Sequence, residues 1–387
     1  MKKMVFVGSV AILLSAAVLA AVPQPCQMRG PFPIVSMTYF EDGSIDYDSI
    51  VKQVLWADSW GCRGIIFGQS NDAVDLLSDD EKIRGFDVCA AAAEGLTITV
   101  GLGVNGTNTT HMLDLANAAE KVAQAHSTTK VCLVSRPPDD AKTAEAVEAA
   151  WDALGAVARR PVIMQTHGAK GVAEPTVEAM VRLAKKYPLA FGYIKEESAG
   201  DNANVRMIAE NAAKPAIKSV FAGWGGWQWL HQLRQCGSAG LITERVAYAP
   251  ILGCIWRLHE AGEKGPRLAA AYAMYRLLID QRNFPAGLRG YSLYLLQKEG
   301  LAKTLVSREY KNKKVTEGGT FGSAADGWKL GTVELTDRQK KELDLLLDDM
   351  FAFVREMSVF NASGRLLTLD QSFYVQGGCV CAPTKRW

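Results

Sequence analysis

The part of the sequence that decides the fold is Leu189-Ala-Phe-Gly-Tyr-Ile-Lys195, followed by Glu196-Glu-Ser-Ala-Gly-Asp201. Its opening residues are mostly apolar, which is typical of a buried strand. A single lysine stands where the apolar run stops. Burial disfavours the charged amine, lowers its pKa and favours the neutral form that attacks carbonyl groups. The stretch therefore indicates Schiff-base chemistry at Lys195 or, in a plainer interpretation, a lysine that is the first solvated residue after a strand.

Outward from this stretch, the same unit recurs along the chain. Each copy is a short apolar run that predicts a strand, and a helical pattern separates it from the next. The other predicted strands are Pro31–Met37, Arg63–Gly68, Leu96–Gly103, Lys130–Ser135, Pro161–Gln165, Ile217–Gly223 and Ala239–Thr243. Eight such units predict an α/β fold, a (β/α)8 TIM barrel with a C-terminal helical extension. A doubly wound open sheet is the alternative, although no Gly-x-Gly-x-x-Gly opens the first unit.

Helix signals lie between these strands. Ser78 and Glu81 form a capping-box pattern, and Gly61 closes the first helix. The predicted barrel helices are Tyr47–Trp60, Asp79–Glu94, Thr110–Ala125, Ala141–Arg159, Glu174–Lys186, Asn202–Ala213 and Gly226–Cys236.

The pattern divides the chain into segments. These are a signal peptide at 1–21, the catalytic barrel at 30–245, a C-terminal helical region at 246–357 and a tail at 358–387. Within the third segment, Val306–Thr332 is polar and contains glycines, which predicts a loop. Thr336 and Gln339 then predict the capping box of a last helix.

Composition narrows the possible functions. The chain has 387 residues, of which 48% are hydrophobic, enough for one large α/β domain and an appendage. Its formal net charge is +2, so neither a strongly basic surface for nucleic acid nor the acidic bias of a disordered chain is indicated.

The N-terminus predicts export. Lys2 and Lys3 precede the apolar run Met4–Ala21, which is typical of a cleavable signal peptide and a periplasmic or secreted location. An uncleaved anchor helix is the alternative. Four of the eight cysteines lie in apolar or helical patterns that favour buried free thiols: Cys62, Cys89, Cys132 and Cys254. Cys379 and Cys381 are the pair most open to oxidation.

In a barrel of this kind, the carboxyl ends of the strands carry the site. The residues there are Met37-Thr38, Gln69-Ser70-Asn71, Gly103-Val104-Asn105, Ser135-Arg136, Gln165-Thr166-His167, Lys195, Gly223-Trp224 and Thr243-Glu244. Lys195 is the only lysine in this ring, which favours the Schiff-base interpretation. No His, Cys or carboxylate cluster has metal-ligand spacing, so no metal is expected.

Several landmarks, in order, resemble one known family. Ser36–Asp46 resembles an opening strand with a D-G-x-I-D turn, and Gly61–Glu81 resembles a G-x-x-G strand followed by L-S-x-x-E. Gly192–Ser198 resembles a segment that carries a Schiff-base lysine, and Gly237–Thr243 resembles a last strand. Over about residues 30–300, the chain thus resembles the dihydrodipicolinate synthase / N-acetylneuraminate lyase family of class I aldolases.

The chain also departs from that family. The family's G-T-T-G-E loop after the second strand is here Gly68-Gln69-Ser70-Asn71-Asp72. Its proton-relay tyrosine at the end of strand five aligns with Gln165, and an amide cannot act as a general acid or base. His167 is a candidate replacement because imidazole titrates near neutral pH, or it is merely a solvent-exposed loop histidine. Lys170 is a possible counterpart of a basic residue that holds a substrate carboxylate.

The resemblance implies a lyase or aldolase that forms an imine with a 2-oxo acid such as pyruvate, with no cofactor beyond the covalent imine. The expected catalytic residues are Lys195, Gln165 and His167. The expected substrate-binding residues are Gln69, Ser70, Asn71, Thr166, Lys170, Gly223 and Ile242. The altered relay and the predicted export favour a sugar-acid-derived substrate over lysine biosynthesis, and the family's habit implies a homo-oligomer. The alternative is a catalytically altered or non-catalytic barrel that binds sugar acids.

Two further patterns each leave two interpretations. Trp224, Trp227 and Trp229 follow a strand end and form either an aromatic wall for a sugar ring or part of the core. Glu196 and Glu197 are either paired acids or, because adjacent residues of an extended segment face opposite ways, a pair of which one carboxylate is simply solvated.

Overall fold

The computed structural model describes residues 28–69, 74–167, 171–198, 202–243, 245–280, 287–312, 314–316, 319–321 and 326–358. Eight parallel strands form one sheet in the order β1-β8-β7-β6-β5-β4-β3-β2. The strands are β1 (Gly30–Pro33), β2 (Gly64–Phe67), β3 (Thr99–Gly103), β4 (Lys130–Ser135), β5 (Val162–Gln165), β6 (Tyr193–Glu196), β7 (Ser219–Ala222) and β8 (Gly240–Thr243). The predicted TIM barrel is confirmed.

The sheet closes on itself. Phe32 of β1 is in register with Ile242 of β8, and on the other side Ile34 pairs in parallel with Ile66. Inward-facing apolar side chains fill the interior, among them Met28, Phe32, Ile34, Ile66, Cys132, Val134, Ile163, Tyr193, Phe221 and Ile242. A packed interior of this kind leaves the carboxyl ends of the strands as the place for a site.

Helices cover the outside of the barrel. They are α1 (Tyr47–Ser59), α2 (Asp79–Ala92), α3 (Thr109–Ala125), α4 (Ala144–Val157), α5 (Val177–Lys186) and α6 (Asn202–Ala212). The predicted capping box of α2 is present, because Ser78 Oγ accepts from the Glu81 amide and the Glu81 carboxylate accepts from the Ser78 amide.

The predicted helix Gly226–Cys236 is wrong as a single element. The segment contains a 3-10 turn at Trp224–Gly226, a short helix α7 (Trp229–His231) and a π-turn at Gln232–Cys236. Gly225 and Gly226 both have positive φ, at 61° and 73°, and such residues interrupt a regular helix. Trp224, which was predicted at the end of the seventh strand, opens the 3-10 turn there.

Beyond the barrel, helices α8 (Ala249–Glu260), α9 (Pro266–Asp280), α10 (Gly287–Lys298) and α11 (Asp337–Ser358) follow in order. The predicted capping box of the last helix is present: the Gln339 amide donates to Thr336 Oγ1, and Gln339 Oε1 accepts from the Thr336 amide.

The predicted loop at Val306–Thr332 is wrong. β9 (Val306–Tyr310) pairs antiparallel with β12 (Trp328–Thr332), and β10 (Lys314–Thr316) pairs with β11 (Gly319–Phe321) farther out. The polar, glycine-containing composition did not indicate these strands. Strand propensity depends strongly on context, and packing stabilises these pairings.

One arginine fastens this hairpin to the rim of the barrel. Arg308 of β9 forms a bidentate ion pair with Glu81 at 2.7 and 2.8 Å and donates to the Gly43 carbonyl. Its guanidinium also lies 4.4 Å from the centroid of the Trp328 ring. The hairpin therefore holds the loops that follow β1 and β2.

Within the described residues, no helix combines the length and apolar character that crossing a membrane requires. The cysteines described, Cys62, Cys89, Cys132, Cys236 and Cys254, are buried free thiols, as predicted for four of them. The predicted signal peptide, most of the tail, and Cys379 and Cys381 lie outside the described residues.

Candidate active site

Lys195 lies at the carboxyl end of β6 and points into the barrel. It is two residues after Tyr193, whose side chain belongs to the interior cluster, and alternate residues of a strand share a face. Lys195 is 4% exposed. It is also in register with Gln165 at the end of β5. The strand ends thus bring together two of the three residues that the sequence predicted as catalytic, Lys195 and Gln165.

A carboxylate lies beside the amine. Glu197 Oε2 is 3.1 Å from Lys195 Nζ, and the same oxygen accepts a hydrogen bond of 2.7 Å from Gln165 Nε2. Gln165 Nε2 also donates to the His167 carbonyl, which fixes the amide. The centre of the site is therefore a carboxylate that contacts both an amine and an amide.

Glu197 is held through both its backbone and its side chain. Its amide donates to Thr166 Oγ1 at 2.7 Å, so the predicted substrate-binding residue Thr166 supports the loop after β6. On the other side, the Trp224 amide donates to Glu197 Oε1 at 3.0 Å. Both carboxylate oxygens of Glu197 are thus engaged, and the side chain is only 14% exposed.

Gly223 and Trp224 take unusual positions to make this contact. A Cβ atom on Gly223 would lie 2.6 Å from the Glu196 carbonyl oxygen and 2.8 Å from Glu197 Cβ, so no larger residue fits there without a shift. Trp224 has φ of 48°, a left-handed conformation that costs a non-glycine residue about 1–3 kcal/mol. Strain of this kind concentrates at functional sites.

On the opposite face of the strand, Glu196 belongs to a closed polar cluster. Its carboxylate accepts from Thr166 Oγ1, from the amide and hydroxyl of Ser198 and from Arg206 Nε. Glu210 lies in the same cluster, and burial, followed by the charge of Glu196, raises the pKa of Glu210 well above its usual range. The prediction of one solvated carboxylate is wrong, because Glu196 is fully buried and Glu197 nearly so.

The other predicted substrate-binding residues differ in their burial and in their hydrogen bonds. Gln69, just after β2, is buried, and its Nε2 has no hydrogen-bond partner among the residues that the structure describes. The same holds for Gln165 Oε1. Ile242 packs inside the barrel. Ser70, Asn71 and Lys170 lie outside the described residues.

The tryptophans that follow β7 differ in their exposure to solvent. Trp224 is 42% exposed, while Trp229 is fully buried in the core. The His167 ring lies 5.1 Å from the Trp224 ring, between centroids, and Trp224 Nε1 donates to the Ser198 carbonyl. Of the two aromatic interpretations, exposure at the site fits Trp224 and core packing fits Trp229.

Glu197 is the site residue that the sequence-based assignment missed. Its signal was present, since it follows Lys195 by two residues and so shares the inward face of the strand if the extended conformation continues. The engagement by Gln165 and Trp224 brings that side chain to the amine.

The chain is similar in sequence and in fold to individual known proteins. No model of a known protein family matches the chain. The 4-hydroxy-tetrahydrodipicolinate synthase of Rhizobium meliloti is 27% identical over 165 residues, which are 42% of this chain and 54% of that protein. The same enzyme of Kineococcus radiotolerans is 25% identical over 256 residues, 61% of this chain and 80% of that protein. The chain thus spans about half the length of the first of these relatives.

Solved structures share the barrel. The 4-hydroxy-tetrahydrodipicolinate synthase of Methylacidiphilum fumariolicum SolV superposes with a TM-score of 0.65 at 18% identity, covering 86% of this chain and 98% of that one. A sialic acid aldolase of Ruminococcus gnavus superposes with a TM-score of 0.66 at 16% identity, covering 86% and 99%. At these identities the likeness establishes the fold.

Proposed function

Since the chain is a divergent member of the dihydrodipicolinate synthase family, we propose that it is a class I lyase that joins Lys195 to a 2-oxo acid as an imine. The observation that carries the proposal is the position of Lys195, which is buried at a strand end with its amine beside Glu197. A neutral amine there can add to a ketone, and the protonated imine withdraws electrons from the neighbouring carbon. That electron withdrawal permits a C–C or C–O bond to break or form.

The proposed substrate is pyruvate or a 2-oxo acid derived from a sugar acid. Gln69 Nε2 and Gln165 Oε1 offer a donor and an acceptor that no described residue uses, which suits hydroxyl and carboxylate groups. The half-exposed Trp224 ring suits the apolar face of a sugar. Ser70, Asn71 and Lys170 remain candidates for holding the substrate carboxylate, and Gly223 and Ile242 for lining the pocket.

Borohydride trapping tests the imine directly. The protein is incubated with pyruvate and sodium borohydride, and the adduct is mapped by peptide mass spectrometry. We expect a reduced adduct on Lys195. Lys195→Arg is the matched control, because it keeps the positive charge but presents a guanidinium that stays protonated. Absence of any adduct across a panel of 2-oxo acids and sugar acids would contradict the lyase.

One observation favours a second candidate, a non-catalytic barrel that binds sugar acids. The ion pair between Lys195 and Glu197 stabilises the charged amine, and that form is not nucleophilic. Calorimetry with sugar acids distinguishes the two candidates. Binding that is unchanged in Lys195→Ala, together with no turnover by the wild type, supports the binding protein.

We also propose export and self-association. The signal peptide at 1–21 is expected to be removed in the secretory pathway, which N-terminal sequencing of the mature protein checks. A homo-oligomer is expected by analogy with the family, and light scattering coupled to size-exclusion chromatography measures it.

A further inference from the structure

We infer that Glu197 is the catalytic proton-transfer residue of this site. The inference rests on the proposed imine chemistry at Lys195. It fills the role that Gln165 cannot perform, because an amide neither gives nor takes a proton near neutral pH. Glu197 contacts the atom that reacts, since its Oε2 is 3.1 Å from Lys195 Nζ.

The carboxylate is fixed rather than free to swing. Oε2 accepts from Gln165 Nε2 at 2.7 Å and Oε1 accepts from the Trp224 amide at 3.0 Å. The strained φ of Trp224 and the absence of a side chain at Gly223 make the second contact possible. Two fixed donors and one reacting amine are the surroundings expected of a positioned general acid–base.

Other titratable groups near the amine are engaged elsewhere. Glu196 lies on the far face of the strand in its ion pair with Arg206. The His167 ring packs against Trp224, and its carbonyl, not its ring, meets Gln165. Among the residues that the structure describes, Glu197 is therefore the carboxylate in contact with the amine.

The proposed step balances without an added reagent. Glu197 takes a proton from the Lys195 ammonium, and the neutral amine adds to the ketone carbon, forming the C–N bond. Through Glu197 a proton then moves from the new nitrogen to the oxygen, giving the carbinolamine. Protonated Glu197 finally donates to the hydroxyl, the C–O bond breaks, water leaves and the nitrogen lone pair forms the protonated imine. Glu197 ends as a carboxylate.

The test measures the rate of imine formation with pyruvate by quenching with borohydride at timed intervals. Glu197→Gln should slow the rate by about a hundred- to ten-thousand-fold, the range for losing a general acid–base. The loss should fall on the rate at saturating pyruvate rather than on the pyruvate concentration that gives half the maximal rate. Glu260→Gln is the control, because that glutamate forms an exposed ion pair with Arg63 at the opposite end of the barrel.

Chemical rescue separates chemistry from structure. In Glu197→Ala, added formate should restore part of the rate in proportion to its concentration, whereas Lys195→Ala should not respond. If Glu197→Gln does not fold, Glu197→Asp keeps a carboxylate and should form the imine more slowly than wild type but faster than Glu197→Ala.

The outcomes distinguish the two proposals. A wild type that forms no adduct overturns the imine and this role together. A wild type that forms the adduct at the same rate as Glu197→Gln overturns the role of Glu197 alone. Rescue of Glu197→Ala by formate supports the role.

Discussion

Glu196 and Glu197 are neighbours in the chain, but their carboxylates lie on opposite faces of the end of β6 in different surroundings. The outer one, Glu196, is fully buried and accepts hydrogen bonds from Thr166, Ser198 and Arg206. The inner one, Glu197, faces the Lys195 amine at the mouth. A carboxylate surrounded by fixed donors holds structure, whereas one that faces a titratable amine can exchange protons. Two glutamates that are adjacent in the chain thus have different roles: Glu196 stabilises the fold and, as we propose, Glu197 takes part in the chemistry.

The largest effect on stability is expected at the outer face. Glu196→Gln removes the buried charge that pairs with Arg206, whose side chain is 13% exposed, and breaking a buried ion pair from one side costs about 3–5 kcal/mol. Glu197→Gln, the matched change on the inner face, should cost less than half as much. Urea unfolding followed by circular dichroism measures both free energies, and equal losses would contradict the division of roles.

Gly223→Ala should link the two faces. The added Cβ would meet the Glu196 carbonyl and Glu197 Cβ at under 3 Å, and overpacking of this kind costs about 1–3 kcal/mol. Displacement of Glu197 should also slow borohydride trapping. Gly265→Ala is the control, because its Cβ would meet only the end of the Glu263 side chain. Wild-type rates in Gly223→Ala would show that the position of Glu197 is not critical.

Glu210→Gln should change how stability depends on pH. Burial and Glu196 raise the pKa of Glu210 above its usual 4.5, so the folded state holds this proton at pH values where the unfolded chain has lost it. The stabilising contribution is therefore complete below pH 4.5 and declines as pH rises through the raised pKa. The neutral amide escapes this decline, and at pH 8 it should be more stable than wild type by about 1–3 kcal/mol. Unfolding free energies of wild type and Glu210→Gln, measured over a series of pH values, check the direction of this change. The same pH dependence in both proteins would contradict it.

The smallest effect is expected at an exposed counterpart. His126 lies between Glu94 and Asp87, at 2.6 and 2.8 Å, and the hydrogen bond that its ring donates to Glu94, together with the one to Asp87, raises the pKa of His126. Its contribution is complete below pH 6.5 and is lost as pH rises through the raised pKa. Both carboxylates are exposed, so His126→Gln should cost only about 0.5–1 kcal/mol at pH 5.5. The loss should shrink in 1 M salt, and a loss that salt does not change would contradict an exposed pair.

Much of the fold could be predicted from the sequence. The apolar runs, the capping pair at Ser78 and Glu81, and the lysine at the end of β6 all report local constraints, and local patterns are visible in one chain. The predicted family is that of its sequence relatives, which are 4-hydroxy-tetrahydrodipicolinate synthases at 25–27% identity. The hairpin β9–β12 was missed because its stability depends on distant partners such as Glu81, which composition does not reveal.

The two central residues of the site, Lys195 and Gln165, could be predicted from the sequence, but the contacts of Glu197 were not. Lys195 and Gln165 stand at strand ends, where the barrel rule places them together. Glu197 could have been found from its spacing of two residues after Lys195. The positive φ of Trp224 could not have been predicted, because tryptophan carries no preference for that conformation. That backbone conformation directs the Trp224 amide at Glu197.

The hairpin anchored by Arg308 also affects how the protein is made. The described residues that contact Glu197, namely Gln165, Thr166, Lys195 and Trp224, are all synthesised once Trp224 has left the ribosome. The rim on the β1 and β2 side waits for Arg308, which follows its partner Glu81 by 227 residues. At typical translation rates that interval lasts roughly 10 to 50 seconds. The nascent barrel therefore carries its reactive centre before its rim is fastened, and a ribosome that stops short of Arg308 releases a chain whose first two loops lack their clamp.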